Sequence, residues 1–168
     1  MAVDKKYQDL LDDPIERAKA WLTKDDDDRW KAGEWMSKLL PHLTVSAASP
    51  DAPAPSVTFA FTCLEEHCNR LGNLHGGAAA TLFDLCTTLS LALINRPGFW
   101  QFLGVTRNLN VTYFRPVPVG EEVVIECEAL QVGKRLATLK GVMKRRRDGA
   151  IVSIAEHLKA NIDPEPML

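Results

Sequence analysis

The sequence predicts an α+β domain in which one long helix is wrapped by an antiparallel sheet, with a helical extension ahead of it. Three observations carry this. First, Gly76-Gly77 opens an almost unbroken apolar run to Ile94, rich in the helix formers Ala78, Ala79, Ala80, Leu82, Leu85, Leu89, Leu91 and Leu93. Second, the residues around that run alternate apolar and polar, the period of half-buried strands. Third, the later strand candidates are joined by short turns, which only antiparallel neighbours allow. The expected organisation is a helical extension over residues 1–48 and the wrapped-helix domain over residues 49–168.

The extension comes first. Asp12-Asp13-Pro14-Ile15-Glu16 has the acidic first turn and early proline of a helix start. Asp25-Asp26-Asp27-Asp28 breaks the helical pattern, because four like charges repel and favour solvent. Trp30, Trp35, Met36, Leu39 and Leu40 then recur at roughly helical spacing, a stripe suited to packing on the main domain or a partner subunit. Residues 49–55 read as a proline-rich loop. Val57, Phe59 and Phe61 begin a strand through about Leu64. Residues 75–95 form the helix, which Asn95-Arg96-Pro97-Gly98 ends. Four further strands are expected over residues 103–114, 122–131, 135–146 and 150–161, with turns at Pro116–Gly120, Gly133-Lys134 and Asp148-Gly149.

Composition narrows the function. A net charge of −2 gives no argument for nucleic acid. The apolar run is interrupted by Asp84 and closed by Arg96-Pro97, so no membrane span is expected. The first residues lack the apolar stretch of a signal peptide, and the first thirty are too acidic for an ordinary transit peptide, so an intracellular protein is expected. Its compartment, cytoplasmic or mitochondrial, is left open. Cys63, Cys68, Cys86 and Cys127 make no C-x-x-C pair and read as free thiols. His42, His67, His75 and His157 show no ligand spacing, so no metal is implied.

The chemistry gathers at the helix. A helix read as buried on all sides carries one carboxylate, Asp84, and an isolated buried charge costs several kcal/mol unless it is paired or used. The helix start offers unpaired N–H groups and a positive dipole end, suited to a developing oxyanion, and Gly76 and Gly77 let a ligand approach the backbone. Asp84 lies eight residues beyond Gly76, about 12 Å along the axis. A general base works within about 3 Å, so Asp84 and the helix start of one chain do not serve the same carbonyl. A second copy of the helix crossing the first would bring them together at a two-fold interface. Asn69 reads equally as a turn former and as a donor to a carbonyl oxygen, and His75 as a structural or functional group. Residues 133–147 hold seven Lys or Arg and no Asp or Glu, which suits either a solvated sheet surface or phosphate contact.

The segment Leu-His-Gly-Gly-Ala-Ala-Ala-Thr-Leu-Phe-Asp over residues 74–84, with Asn69 before it and Asn110-Val111-Thr112-Tyr113-Phe114-Arg115-Pro116 after it, resembles the hotdog-fold thioesterases. The likeness is nearest to the PaaI-like, phenylacetic-acid-degradation type that includes the acyl-CoA thioesterase 13 group, and it covers roughly residues 56–160. It implies a hotdog fold assembled as homodimers and often as dimers of dimers. It also implies hydrolysis of an acyl-CoA thioester to free acid and CoA with no covalent intermediate and no cofactor, coenzyme A being part of the substrate. Asn69 and the Gly76 N–H would polarise the thioester carbonyl. Asp84 of the facing subunit would activate water, Thr106 would orient it, and His75 would support the loop. Gly77, Asn108, Tyr113 and the Gly133-Lys134-Arg135 turn match segments that contact coenzyme A. Family members often carry Ser and Asp where this chain has Thr106 and Asn108; threonine keeps the hydroxyl, whereas Asn108 changes that contact. The competing expectations are a non-catalytic acyl-CoA-binding protein and an enoyl-CoA hydratase or dehydratase on the same fold, the latter disfavoured because no D-x-N-x-x-H type of pattern is present.

Overall fold

The structure is a computed structural model that describes residues 13–22, 35–51 and 53–164. Asp25–Asp28 and Trp30 lie outside the described residues. The element order is α1 (Pro14–Ala20), β1 (Leu43–Ser49), β2 (Ser56–Thr62), α2 (Gly76–Thr88), β3 (Val105–Tyr113), β4 (Glu122–Val132), β5 (Leu136–Arg145) and β6 (Ile151–Ala160). The six strands form one antiparallel sheet in the order β1-β2-β4-β5-β6-β3. Helix α2 packs against β2, β3, β4, β5 and β6, which is the hotdog arrangement.

Two features fix α2 on the sheet. Its inward residues Leu82, Phe83, Cys86 and Leu89 meet Phe59, Phe61, Ile125, Leu139 and Met143 in one apolar core. At the closest approach, β5 carries Gly141. A Cβ there would stand 2.6 Å from the Phe83 ring, so only glycine lets the helix settle this near the strand. Residues 76–93 are long and apolar enough to cross a membrane by composition, and 56% of that stretch is buried inside this fold.

Three expectations change. Residues 43–48, read as helical, begin the sheet as β1, whose alternating Leu43, Val45 and Ala47 pair with β2 around a bulge. The helix expected to reach residue 95 ends at Thr88, and Leu91–Leu93 continue as a 3-10 turn. It is also not buried on all sides: in the single chain, Gly77 is exposed and Thr81, Asp84, Leu85 and Thr88 are half-buried along one stripe.

The extension is tied to the domain. Asp13 caps α1 by accepting from the Ile15 N–H, with Pro14 in the first turn as expected. Arg17 donates to the carbonyls of Ala92 and Asn95, fastening α1 beyond the far end of α2. Leu39 is buried in the main core, whereas Trp35 is 80% exposed and donates its indole N–H to Thr81 on α2.

Candidate active site

The start of α2 is built by the loop of residues 64–75. His75 is the N-cap, and its Nδ1 accepts from the Gly77 N–H at 2.9 Å. That cap explains Gly77, since a Cβ there would press on the His75 ring at 3.1 Å. Tyr113, expected at coenzyme A, donates its hydroxyl to the Gly76 carbonyl at 2.7 Å and so braces the helix start. Asn69 forms the turn: its Oδ1 accepts from the Leu71 and Asn73 N–H groups. The turn-forming role therefore belongs to its oxygen. That orientation leaves the Nδ2 hydrogens, and likewise the Gly76 N–H, with no acceptor among the described residues. These are the donors a carbonyl oxygen would need.

Two turns further on, the chemistry changes sign. The Asp84 carboxylate is half exposed and accepts from the Thr106 hydroxyl of β3 at 2.6 Å. Thr106 Oγ1 also lies 3.0 Å from Nε2 of His157 on β6, and that nitrogen is 3.4 Å from Asp84 Oδ1. His157 is 1% exposed, and its Nδ1 is 2.7 Å from Thr87 Oγ1. The Thr87 hydroxyl donates to the Phe83 carbonyl, so its oxygen must accept from His157 Nδ1–H. Neutral His157 then presents a lone pair at Nε2 to Thr106. The Thr106 hydroxyl has one hydrogen and two acceptors, Asp84 and His157. Burial, helped by the neighbouring Lys159 ammonium and opposed by Asp84, pushes the His157 ring down to about 4.

Lys159 completes the cluster. It is 4% exposed and donates to Thr88 Oγ1 at 2.8 Å, while the Thr88 hydroxyl donates to the Asp84 carbonyl. Burial lowers its pKa and the Asp84 charge opposes that shift. Sequence reasoning missed both His157 and Lys159. The signal was present: Ser153, His157 and Lys159 recur at even spacing on the face of β6 that is buried, a polar set where a core strand should be apolar.

The remaining expected residues separate. Asn108 is exposed on β3 just past a bulge at Thr106/Asn108. The Gly133-Lys134-Arg135 turn is held by Trp100 Nε1 on the Gly133 carbonyl and by Asn161 on the Lys134 carbonyl. It stands at the sheet end where Leu136, Ala160 and Val105 lie side by side, one register step from Thr106. The other five basic residues of 133–147 are surface ion pairs: Lys140 with Glu128, Lys144 with Glu126, Arg145 with Asp148, Arg146 with Glu122 and Arg147 with Glu121. The solvated-surface reading holds for them.

The histidines are less scattered than their spacing suggested. His42, Glu66 and His67 bring possible ligand atoms within 4.8 Å of one another. His67 is spent as a ligand, because Nδ1 accepts from the Leu64 N–H and Nε2 donates to the Lys38 carbonyl. The cysteines are free, with Cys63 Sγ 3.5 Å from Cys68 Sγ.

The thioesterase superfamily profile matches residues 71–152, from the loop before α2 into β6. Acyl-coenzyme A thioesterase 13 of Mus musculus is 32% identical over 124 residues, which cover 74% of this chain and 83% of the relative. The chain belongs to the thioesterase superfamily. The crystal structure of zebra fish thioesterase superfamily member 2 matches with a TM-score of 0.67 and 26% identity, covering 88% of this chain and 94% of that one. A Streptococcus pneumoniae thioesterase protein crystallised with coenzyme A matches at a TM-score of 0.63 and 17% identity over 74% of this chain and 89% of that one, a likeness of fold alone.

Proposed function

We propose that this thioesterase hydrolyses acyl-CoA thioesters at a site shared by two copies of the chain. The observation that carries the reading is the placement of a half-exposed Asp84, hydrogen-bonded to Thr106, which in turn lies against His157, on the open stripe of α2. Eight residues along the helix put it about 12 Å from the donors of its own Gly76. A second copy is recruited by what the single chain leaves uncovered. The stripe through Gly77, Thr81, Asp84, Leu85 and Thr88 is open, and β3 is an edge strand with Val105 and Tyr113 about half exposed. Pairing two such edges across a two-fold axis would set the two α2 helices side by side; a dimer of dimers is the larger assembly this family reading implies.

In that site the thioester oxygen would lie against the Gly76 N–H and Asn69 Nδ2 of one copy. A water held by Asp84 and Thr106 of the other attacks the carbonyl carbon as Asp84 takes its proton. The oxyanion is stabilised by the amide donors, and its collapse breaks the C–S bond, releasing the free acid and CoA, whose thiolate regains a proton. The relatives' names supply the acyl-CoA class. Lys134 and Arg135, exposed on the turn near Thr106, suit the phosphates of the nucleotide end, with Gly77 and Asn108 at the rim. No cofactor takes part in this reading.

The test is thiol release from a panel of straight-chain and aryl acyl-CoAs by the full chain, with Asp84→Asn beside it. Turnover of at least one substrate that the variant loses supports the reading. Tight binding with intact acyl-CoA recovered would replace it with a binding protein, and hydration of an enoyl-CoA would replace it with a hydratase.

A further inference from the structure

His157 is useful to the reaction in only one protonation state. With Nδ1–H given to Thr87, neutral His157 offers Nε2 as an acceptor, so the Thr106 hydroxyl can turn from Asp84 to His157 when Asp84 gains the proton of water. A protonated ring would instead point a cationic N–H at Asp84 Oδ1, only 3.4 Å away, and bind up the base in an ion pair. Burial of the ring opposes that protonation first, while the Asp84 charge beside it works the other way.

We propose that Lys159 is the positioning residue that does so: its buried ammonium, fixed on Thr88 one turn beyond Asp84, keeps His157 neutral and Asp84 available. This rests on the hydrolase reading above. Lys159 follows His157 by two residues, so both project from the same face of β6, and its register partner on β3 is Thr106. Among the described residues no carboxylate oxygen comes within 4.0 Å of its Nζ. An ammonium so buried without an ion-pair partner is a costly choice for packing alone, where a methionine would do better. It acts instead on two groups in opposite senses, repelling a proton from His157 and attracting the Asp84 charge. The charged and titratable groups facing His157 are Asp84 from α2 and Lys159 from β6; β3 contributes Thr106 and Leu109, and β5 contributes Leu139.

The test is an NMR titration of the histidine rings in the full chain, comparing wild type with Lys159→Met and Lys159→Arg, alongside kcat and KM against pH. The expected result is that His157 titrates about one unit higher in Lys159→Met and close to wild type in Lys159→Arg. The acid limb of kcat should move with it while KM holds. Lys159→Gln, which keeps a donor for Thr88 without the charge, gives the same shift should the Met variant fail to fold. An unmoved His157 titration in the neutral variants, or an activity loss equal at every pH, overturns the proposal. If wild type releases no CoA from any acyl-CoA, the hydrolase reading fails, and the ring titration still decides what Lys159 does to His157.

Discussion

The two ends of the site differ in what they are made of. The start of α2 is built from neutral donors: the Gly76 N–H and the Asn69 amide, set by an Asx turn and a histidine cap. The Asp84 end is built from titratable groups and hydroxyls, with His157 and Lys159 buried beneath it. In the proposed reaction the first would meet an oxygen that becomes negative and needs no proton of its own. The second would take a proton and so must control where protons already are. The lesson is that a hydrolytic site divided in this way can keep its base away from its own oxyanion donors, provided that a second copy closes the gap.

Breaking the proton-handling end should have the largest effect. Asp84→Asn preserves the size of the side chain and should lower kcat about a thousandfold with KM little changed, read by thiol release under saturating acyl-CoA. A smaller loss is expected at the donor end, where Asn69→Ala should cost about a hundredfold in kcat, part of it from the lost turn. Thr106 sharpens the comparison. Thr106→Ser should keep most activity and Thr106→Val should lose about tenfold or more, because the hydroxyl and not the methyl group bridges Asp84 and His157.

Stability should separate the same two regions. His157 is held down to about 4 in the folded chain, whereas an unfolded chain keeps the ordinary value of 6.5. As pH falls through that window the unfolded state takes up a proton that the folded state refuses, so stability falls from pH 6.5 toward 4 and this contribution levels off below. Urea midpoints at pH 7 and pH 5 should show the loss, and His157→Asn should remove that part of the slope. At the other end, His75→Ala should cost about 1 kcal/mol at pH 7, because it removes the cap on the Gly77 N–H.

How much of this was readable in the chain follows from the physics of each element. Asp84 stood out as one carboxylate in an apolar run, and the alternation of β2, β4 and β5 matches the faces that are buried. β1 was hidden by its neighbours: Leu43, Val45 and Ala47 follow a helical stripe within three residues of Leu40, and Pro41 between them marks the end of a turn without announcing the change of period. β6 was found as a strand, but its faces were harder to read. Its larger apolar residues Ile154 and Leu158 are half-buried while Ser153, His157 and Lys159 face the helix, so a rule that sends apolar residues inward points the strand the wrong way. The rule fails there because the inward face serves Asp84 as well as the core.

The claim that the site is shared between copies is tested most directly by mixing two impaired chains. Asp84→Ala and Asn69→Ala should each keep no more than about a hundredth of wild-type turnover alone. Co-expressed, they should form mixed dimers with one intact Asp84–Asn69 combination, restoring about a quarter of wild-type turnover under random pairing. If the co-expressed dimers stay as inactive as either parent, Asp84 and Asn69 of the same chain act together and the shared site is wrong.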